Sequence, residues 1–432
     1  MNYVQIEEKN KEFLKEYIKE TLNIMKFTKN GHLPINTLFP LDVRKVIISS
    51  KISIQGADLA KEEIRLLIFK SLKNLKTKGT TSLFLEEFNK DLNSEIALYL
   101  SLPENEYCLI FPLYNNSDEI SRKRKYKVRE MEFKKKSWDE IKKFSGWKDF
   151  TKRVSQLINL PYNPDELMKI MINKFIPLII FTKGRSADHA FQNAYIKYDL
   201  FCSILNLSDN LSARTYFFGG PPTHLEAIFP SPYYIVFKSG GDYETLYITY
   251  EKYKYDKKGQ IKRKNLIFME KIMNHLERKD EKLRFLIEDS ILKYGQALNT
   301  LDWRYAFLDL WQILENLSLC RLENYFKMET VINRINALLG ENNSSAAILL
   351  EELKDTRNKL VHDGEFSKEG LLTFNLLKII VDRSLLKIFS SQKKFSNTNS
   401  LKLFFQHISQ SDSNLKETKR IINMIQRSRS KL

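Results

Sequence analysis

The sequence predicts a mainly α-helical protein, in which a C-terminal helical bundle follows a helix-rich N-terminal region with a small antiparallel β insertion. Three observations lead to this fold class. The 432 residues include only 14 glycines and 11 prolines, which indicates long regular elements with few tight turns. The hydrophobic fraction of 43% is high enough to build buried cores. Apolar residues recur at helical spacing along most of the chain and alternate as in a strand within residues 216–255.

The N-terminal region is predicted to be mainly helical up to about residue 100. Three segments carry apolar side chains at helical spacing: Lys9–Met25, Asp58–Lys76 and Ser82–Leu100. The short apolar run Tyr107–Tyr114 fits either a strand or a linker with one buried face. Residues Pro164–Leu207 return to the helical pattern, and Pro177 is expected to break them into two helices because proline lacks a backbone N–H.

The β insertion is predicted around residues 216–255, where glycine pairs, prolines and alternating aromatic residues are concentrated. Its two best strands are Tyr233–Lys238 and Glu244–Tyr255, joined through Ser239–Asp242. The alternating tyrosines fit packing within a sheet better than stacking on nucleic-acid bases: Tyr243, Tyr247, Tyr250, Tyr253 and Tyr255.

The C-terminal part is predicted to be a helical bundle over residues 281–392, followed by a basic helical tail over 393–432. Asp302 is expected to cap the second bundle helix, and Gly340 to end the third. A fourth helix starts at Ser344 or Ser345, and Gly370–Phe389 is apolar on nearly every face, as expected for the buried centre of a bundle. Residues 1–280 then form a separate sensor or substrate-recruiting region.

Charge is distributed unevenly along the chain. The formal net charge is +17, yet residues 281–392 hold 14 Lys and Arg against 16 Asp and Glu. The tail has nine basic and two acidic residues, so the flanking regions are expected to attract any polyanionic partner. The chain has no long apolar stretch, no secretory signal pattern and only three scattered cysteines. These features predict a cytoplasmic protein without membrane attachment, bound metal or cofactor.

The most informative segment is LLEELKDTRNKLVHDGEF. On a helix, Arg357 falls in the middle of an apolar stripe formed by Leu349, Leu350, Leu353, Leu360 and Val361. A guanidinium on a buried face is costly unless it is paired or used. His362 follows about 140° further round an ideal helix. The backbone at the helix end, Asp363–Gly364, must therefore turn the His362 side chain toward Arg357 if both side chains are to act together.

These residue types suit RNA cleavage by the 2′-hydroxyl group. That reaction needs a base for the hydroxyl proton, an acid for the leaving 5′-oxygen and a cation for the charged phosphorane. Histidine serves as acid or base near neutral pH, and arginine grips phosphate oxygens. One chain supplies a single histidine in this motif, so a symmetric homodimer with a composite cleft would supply both proton-transfer roles.

The segment Arg357–His362 resembles the R-N-x-x-x-H signature of the HEPN (higher eukaryotes and prokaryotes nucleotide-binding) superfamily. The upstream helix WRYAFLDLWQILENL is similar to the W-x-x-L-E-x-L helix of ApeA-like HEPN domains of bacterial anti-phage proteins. The resemblance covers about 110 residues. It implies a four- or five-helix bundle, dimerisation, metal-independent endoribonuclease activity, and a role in abortive infection or toxin systems. We expect the substrate to be single-stranded RNA or tRNA loops, and a phage product to be the trigger. The resemblance also implies catalytic roles for Arg357, Asn358 and His362, with Glu315 orienting Arg357.

The sequence also allows other interpretations of this module and of the basic run near residue 130. The HEPN module could be non-catalytic, used for dimerisation and nucleotide or protein binding. The basic run Arg122–Lys136, with Trp138 and Trp147 nearby, fits either a nucleic-acid surface or a solvated helix or loop. Its candidate phosphate ligands are Arg122, Lys123, Arg124, Lys125, Lys127 and Arg129. Such a surface could also make the chain a DNA-binding defence component. Arg185 to His189 and His224 are expected to be a helix cap and a turn histidine.

Overall fold

A computed structural model gives the arrangement of the chain. It describes residues 3–24, 48–49, 52–54, 59, 61–78, 84–114, 125–156, 164–210, 229–231, 233–248, 263–300, 302–320, 328–340, 344–366, 370–390, 395–408 and 410–429. Helices dominate these residues and an antiparallel sheet accompanies them, so the predicted mainly α-helical fold is confirmed. Among the described helices, none is long and apolar enough to cross a membrane.

The N-terminal helices form their own hydrophobic core. They are α1 (Glu8–Ile24), α2 (Lys61–Lys78) and α3 (Phe84–Ser101), close to the three segments predicted from apolar spacing. Two short strands, β1 (Val4–Gln5) and β2 (Ser53–Ile54), pair beside them. The core of this part is built from side chains such as Leu14, Leu67 and Phe88, each fully buried.

A seven-stranded antiparallel sheet occupies the middle of the chain. Its strands are β3 (Asn105–Tyr114), β4 (Lys125–Val128), β5 (Met131–Lys135), β6 (Phe175–Gly184), β7 (Phe229–Pro230), β8 (Tyr233–Lys238) and β9 (Tyr243–Ile248). The order is β4-β5-β6-β3-β8-β9, with β7 paired to β3. The hairpin predicted at Tyr233 is confirmed in its first strand and up to Ile248 in its second. The sheet is wider than predicted, because its strands begin at Asn105.

The helical prediction for Pro164–Leu207 is wrong in its centre. Phe175–Gly184 is strand β6, which pairs with β3 over ten residues, and Pro177 lies opposite Pro112 in that register. Pro177 contributes no N–H to the ladder, and its carbonyl accepts from the backbone N–H of Lys136 at 3.1 Å. A short apolar run buried on both faces has no strand periodicity, so spacing alone cannot separate it from a helix.

The basic run Arg122–Lys136 contains a β-hairpin rather than a helix or an irregular loop. Strands β4 and β5 pair through Lys125–Lys134 and Tyr126–Phe133, and the turn is closed by Arg129, whose φ is 53°. Tyr126 and Phe133 are buried, whereas the lysines that flank them in the strands, Lys125, Lys127 and Lys134, are exposed. Alternation along the hairpin therefore separates an apolar face from a basic one. Residues 115–124, including Arg122, Lys123 and Arg124, lie outside the described part.

Helices cover both faces of the sheet. Cys108 and Ile110 of β3 face a core with α4 (Trp138–Ile141), α5 (Trp147–Ser155) and α6 (Pro164–Lys174). Leu109 and Phe111 point the other way, into the core that holds α7 (Ala187–Asn210). This helix lies between the sheet and the C-terminal bundle.

The bundle and its surroundings consist of eight helices. They are α8 (Arg263–Leu276), α9 (Glu281–Asn299), α10 (Trp303–Leu319), α11 (Met328–Leu339), α12 (Ser344–Asp363), α13 (Gly370–Ser390), α14 (Thr398–His407) and α15 (Asp412–Arg429). Asp302 caps α10 as predicted, accepting from the N–H of Arg304 at 3.0 Å. The core of α13 is buried at Phe374 and Leu377, although Leu372 is exposed.

One hydrophobic core runs through the sheet, α7 and the bundle. It includes Phe111 of β3, Phe201 of α7, Tyr294 of α9 and Phe405 of α14, all buried. The helix boundary at Asp280, which caps α9, is therefore not a boundary between separate cores. The bundle is positioned by the sheet, α7 and α8 through shared apolar packing.

Candidate active site

Helix α12 carries the motif and has the shape that its sequence predicts. Leu350, Leu353 and Leu360 are buried on one side, and the helix ends at Asp363, followed by Gly364 with a φ of 71°. A positive φ is the usual state of a glycine that terminates a helix. The prediction that Val361 belongs to the buried stripe is wrong, because its side chain is 47% exposed. It lies one residue beyond Leu360, at the edge of that stripe.

Arg357 lies in the buried stripe and is paired with the acidic residue of the upstream helix. Its Nη2 is 3.6 Å from Oε1 of Glu315 on α10, and the two side chains are only 23% and 18% exposed. The same carboxylate oxygen accepts from Nε1 of Trp311 at 2.8 Å. Arg357 also donates from Nη1 to Oδ1 of Asn358, at 3.4 Å. Glu315 is thus fixed by Trp311, and it holds the guanidinium on the α10 side of α12.

His362 lies elsewhere on the same helix. It is exposed in the last turn of α12, which remains helical through Asp363. The helix end therefore does not re-aim His362 toward Arg357. Five residues on an α-helix separate two side chains by about 140°. Within one chain, the structure brings together Arg357, Asn358 and Glu315, but it does not add His362 to that group.

The end of α12 is anchored by aromatic packing. Phe366 contacts Phe307 of α10, with ring centroids 5.4 Å apart, and it lies against Gly370 at the start of α13. Trp303 packs on Phe374 at 4.9 Å. The C-terminal end of α12 therefore meets the N-terminal ends of α10 and α13. Three large apolar side chains are exposed at this end of the bundle: Tyr305 (63%), Val361 (47%) and Leu372 (42%).

The basic hairpin is partly neutralised by neighbouring carboxylates. Lys125 is 3.2 Å from Glu132, and Lys127 is 3.9 Å from Glu277, the residue that follows α8. Arg129 does not project freely into solvent, because its guanidinium forms a fork with Glu288 of α9, Nε to Oε1 being 2.9 Å. Of the predicted phosphate ligands within the described part, Lys125 and Lys127 are exposed, whereas Arg129 also connects the sheet to the bundle.

Two buried polar clusters were not predicted from the sequence. In the first, His189 Nδ1 lies 3.3 Å from the buried carboxylate of Glu63, which also accepts from Tyr99, and Ser186 caps α7 by accepting from the N–H of His189. The segment from Arg185 to His189 is therefore a helix cap as predicted, and it is joined to α2 and α3. His224 lies outside the described residues.

The second cluster ties α7, α9 and α13 together. Lys378 Nζ is 2.6 Å from Asp382 and donates to the carbonyl of Asn210, the last residue of α7. Tyr294 donates to Asp382 at 2.6 Å. Burial lowers the pKa of Lys378 and raises that of Asp382, while their mutual attraction opposes both shifts. The network could not be predicted from the sequence, because its residues come from three helices that are far apart along the chain. It positions the bundle helices relative to α7.

No group of three or more His, Cys, Asp or Glu side chains within the described ranges could hold a metal ion. Comparison with known proteins adds no relative: no family model, no curated protein and no solved structure matches the chain. The resemblance to HEPN domains therefore rests on the Arg357–His362 motif and on the helix that contains Trp311 and Glu315.

Proposed function

We propose that the chain is a metal-independent endoribonuclease whose active site is formed by Arg357 and His362, and that it serves in defence against phage by abortive infection. The observation that supports this proposal best is the partly buried Arg357, held by Glu315, on a helix whose last turn presents His362 to solvent. A structural ion pair explains Arg357 and Glu315, but it gives no reason for an exposed histidine at the helix end. The defence role rests on the resemblance alone.

In the proposed reaction, the 2′-hydroxyl of a ribose attacks the adjacent phosphorus, and the bond from phosphorus to the 5′-oxygen breaks. One histidine takes the hydroxyl proton, and a second donates a proton to the leaving 5′-oxygen. Arg357 stabilises the negative charge that builds up on the phosphoryl oxygens. The products are a 2′,3′-cyclic phosphate and a 5′-hydroxyl, so no redox change or external water is needed.

The divergence of Arg357 and His362 favours a site shared by two chains. A phosphate bound at one Arg357 would receive histidine from a second copy, and a twofold axis would place both His362 residues in one cleft. The exposed apolar residues Tyr305, Val361 and Leu372 at that end of the bundle provide a surface for such a second copy. The proposed active form is therefore a homodimer.

Capture of RNA would fall mainly to the flanking regions. The bundle segment is slightly acidic, whereas the hairpin exposes Lys125 and Lys127 and the tail carries nine basic residues. Phosphate contacts by such residues give sequence-independent and salt-dependent affinity. The substrate class that fits this arrangement is single-stranded RNA or an RNA loop such as that of tRNA.

The proposal is tested by incubating the purified full chain with total RNA in the presence of EDTA. Wild type is expected to cleave RNA, His362→Ala to be inactive, and His407→Ala to retain wild-type activity. His407 is a matched control because it also lies in the last turn of a helix, where its Nδ1 is 3.0 Å from Gln410. Identical RNA patterns from wild type and His362→Ala would refute the enzyme proposal.

A non-catalytic HEPN module is the second candidate. The separation of Arg357 from His362 on the helix favours it, as does the Arg357–Glu315–Trp311 contact, which has a structural explanation of its own. This candidate predicts a dimer that binds nucleotide or protein without cutting RNA. A stable dimer without RNA cleavage in EDTA or in magnesium would support it over the nuclease.

A further inference from the structure

Three cationic side chains meet where the β4–β5 turn, α7 and α9 come together. They are Arg129 of the turn, Lys197 of α7 and Arg284 in the first turns of α9. Burial, followed by repulsion from Arg284, lowers the pKa of Arg129. Burial, together with repulsion from Arg129 and Arg284, lowers the pKa of Lys197. Ion pairs place the three side chains together: Arg129 contacts Glu288, one turn after Arg284 on α9, and Lys197 lies 3.8 Å from Glu130, which follows Arg129 in the turn.

The carboxylates around this cation cluster compensate it only in part. Glu288 is the buried one, and both of its oxygens are engaged by Arg129. Glu130 lies 3.8 Å from Lys197 but is 69% exposed, and Glu281 is exposed as well. Exposed carboxylates are hydrated and screened, so they offset a partly buried cation weakly. Three cations therefore face one buried carboxylate and two exposed ones, and the buried positive charge is compensated only in part.

Arg284 shows this incomplete compensation most clearly. Its side chain is partly buried, and its Nε is enclosed without a hydrogen-bond acceptor anywhere in the part of the chain that the structure describes. Lys197 is only 14% exposed and has Glu130 as its anionic neighbour. Enclosed donors without acceptors are costly, and each such group requires an explanation. An anionic ligand would supply the missing acceptors.

We propose that Arg129, Lys197 and Arg284 form a binding site for a phosphate group, carried either by a nucleotide or by a nucleic-acid backbone. Guanidinium groups donate to phosphate oxygens in pairs, and an ammonium group adds a point charge. A terminal phosphate carries close to two negative charges, which would add to the weak compensation that the exposed carboxylates provide.

This phosphate site is separate from the candidate active site. Asn316 of α10 contacts Asp289 of α9, so the first turns of α9 lie level with the C-terminal end of α10. Arg357 contacts Glu315 and Phe366 contacts Phe307, which places His362 level with the middle of α10. The phosphate site also joins the sheet to the bundle. A ligand there would therefore stabilise the contact between the N-terminal region and α9.

The test measures thermal stabilisation and binding heat of the full chain in phosphate-free chloride buffer. The probes are inorganic phosphate, ATP and a short single-stranded oligodeoxynucleotide without terminal phosphates. Saturable binding of the first two would identify a terminal phosphate as the ligand group, and binding of the third alone would identify a backbone phosphate. Because cleavage is not measured and the DNA strand lacks 2′-hydroxyls, the result is independent of the proposed nuclease activity.

Variants assign the binding to these residues. Arg284→Gln and Lys197→Gln are expected to weaken binding about tenfold or more each, since each removes a charge-assisted hydrogen bond. Lys142→Gln removes the same charge from an exposed position just after α4, where Lys142 lies 3.2 Å from Asp139, and is expected to leave binding unchanged. Ligand-free Arg284→Gln is expected to melt at a higher temperature than wild type, because repulsion is relieved.

Two results would overturn the phosphate site. One is the failure of all three probes to bind saturably to wild type. The other is an equal loss of binding in Lys142→Gln, which would indicate general electrostatic attraction. A lower melting temperature of ligand-free Arg284→Gln would also count against it, since that result assigns Arg284 to folding.

Discussion

Arg357 and Glu315 form a partly buried pair whose members come from different helices. Their meeting could be predicted from the sequence, because Arg357 falls on the apolar stripe of its own helix and Glu315 on the enclosed side of the upstream one. The position of His362 could not be predicted, because the sequence does not reveal whether the last turn of a helix unwinds. The structure keeps that turn helical through Asp363.

The substitution Arg357→Lys should lower the cleavage rate while leaving the stability of the fold nearly unchanged. Lysine keeps the charge near Glu315 but loses the planar fork that binds two phosphoryl oxygens. The cleavage rate is expected to fall about 100-fold, while the free energy of unfolding changes by about 1 kcal/mol or less. Initial rates on RNA and urea unfolding measure the two effects. Arg304→Lys, an exposed arginine paired with Asp302, is the control. An unchanged cleavage rate in Arg357→Lys would argue against a phosphate contact.

Asp199 on α7 should make the protein less stable as the pH rises through the weakly acidic range. Burial raises its pKa to about 6, and no hydrogen bond or ion pair to another described residue stabilises the charged form. A folded-state pKa above the unfolded value gives stability that is complete at low pH and is lost between about pH 4 and 6.

Asp199→Asn should remove this pH dependence. At pH 7 the variant is expected to be more stable than wild type by up to about 3 kcal/mol, the equivalent of the full pKa difference. Urea unfolding of both proteins at pH 4.5 and pH 7 measures the effect. Equal stabilities of wild type and variant at pH 7 would show that the Asp199 carboxylate is well solvated.

At the scale of elements, the contact between α7 and α9 depends on one glycine. A Cβ atom at Gly295 would lie 2.2 Å from Oγ and 2.8 Å from Cβ of Ser203. Gly295→Ala should therefore push the helices apart and destabilise the fold by about 1–3 kcal/mol, although alanine alone would favour the helix. The double variant Gly295→Ala, Ser203→Gly should recover part of that loss. Urea unfolding compares the three proteins, and an unchanged Gly295→Ala would contradict the close approach.

Helices could be predicted from the sequence more reliably than strands. Apolar spacing located α1, α2, α3 and the bundle helices, because each helix carries its own amphipathic pattern. Strand β6 was missed, since its residues are buried through partners more than 60 positions away in β3. The basic run near Arg129 forms a local hairpin, and its strand β5 pairs in turn with β6, more than 40 positions away. Local patterns do not contain the identity of such partners.

At the scale of the whole molecule, the exposed apolar end of the bundle should form the dimer interface. Val361→Glu would place a charge within the surface formed with Tyr305 and Leu372, and burying it would be unfavourable. The variant is expected to be a folded monomer by light scattering coupled to gel filtration. Ile348→Glu changes a similarly exposed residue at the other end of α12 and should leave the dimer intact. A dimeric Val361→Glu would place the interface elsewhere.

The continuous core links the middle of the chain to the bundle. The sheet and α7 share buried side chains with α9 and α13, and Lys378 of α13 also donates to the last residue of α7. The sequence indicated a division near residue 280 from composition and helix periodicity. It could not show that apolar faces on both sides of that point pack together.

The nuclease proposal is tested most directly by the chemistry of the cut ends. A single-stranded RNA, and the same RNA with 2′-deoxy substitution at the cleaved position, are incubated with wild type and His362→Ala in EDTA. The expected result is a 2′,3′-cyclic phosphate from RNA with wild type, and no cleavage at the deoxy position or with His362→Ala. A 3′-hydroxyl product, cleavage at the deoxy position, or full activity of His362→Ala would contradict the proposed mechanism.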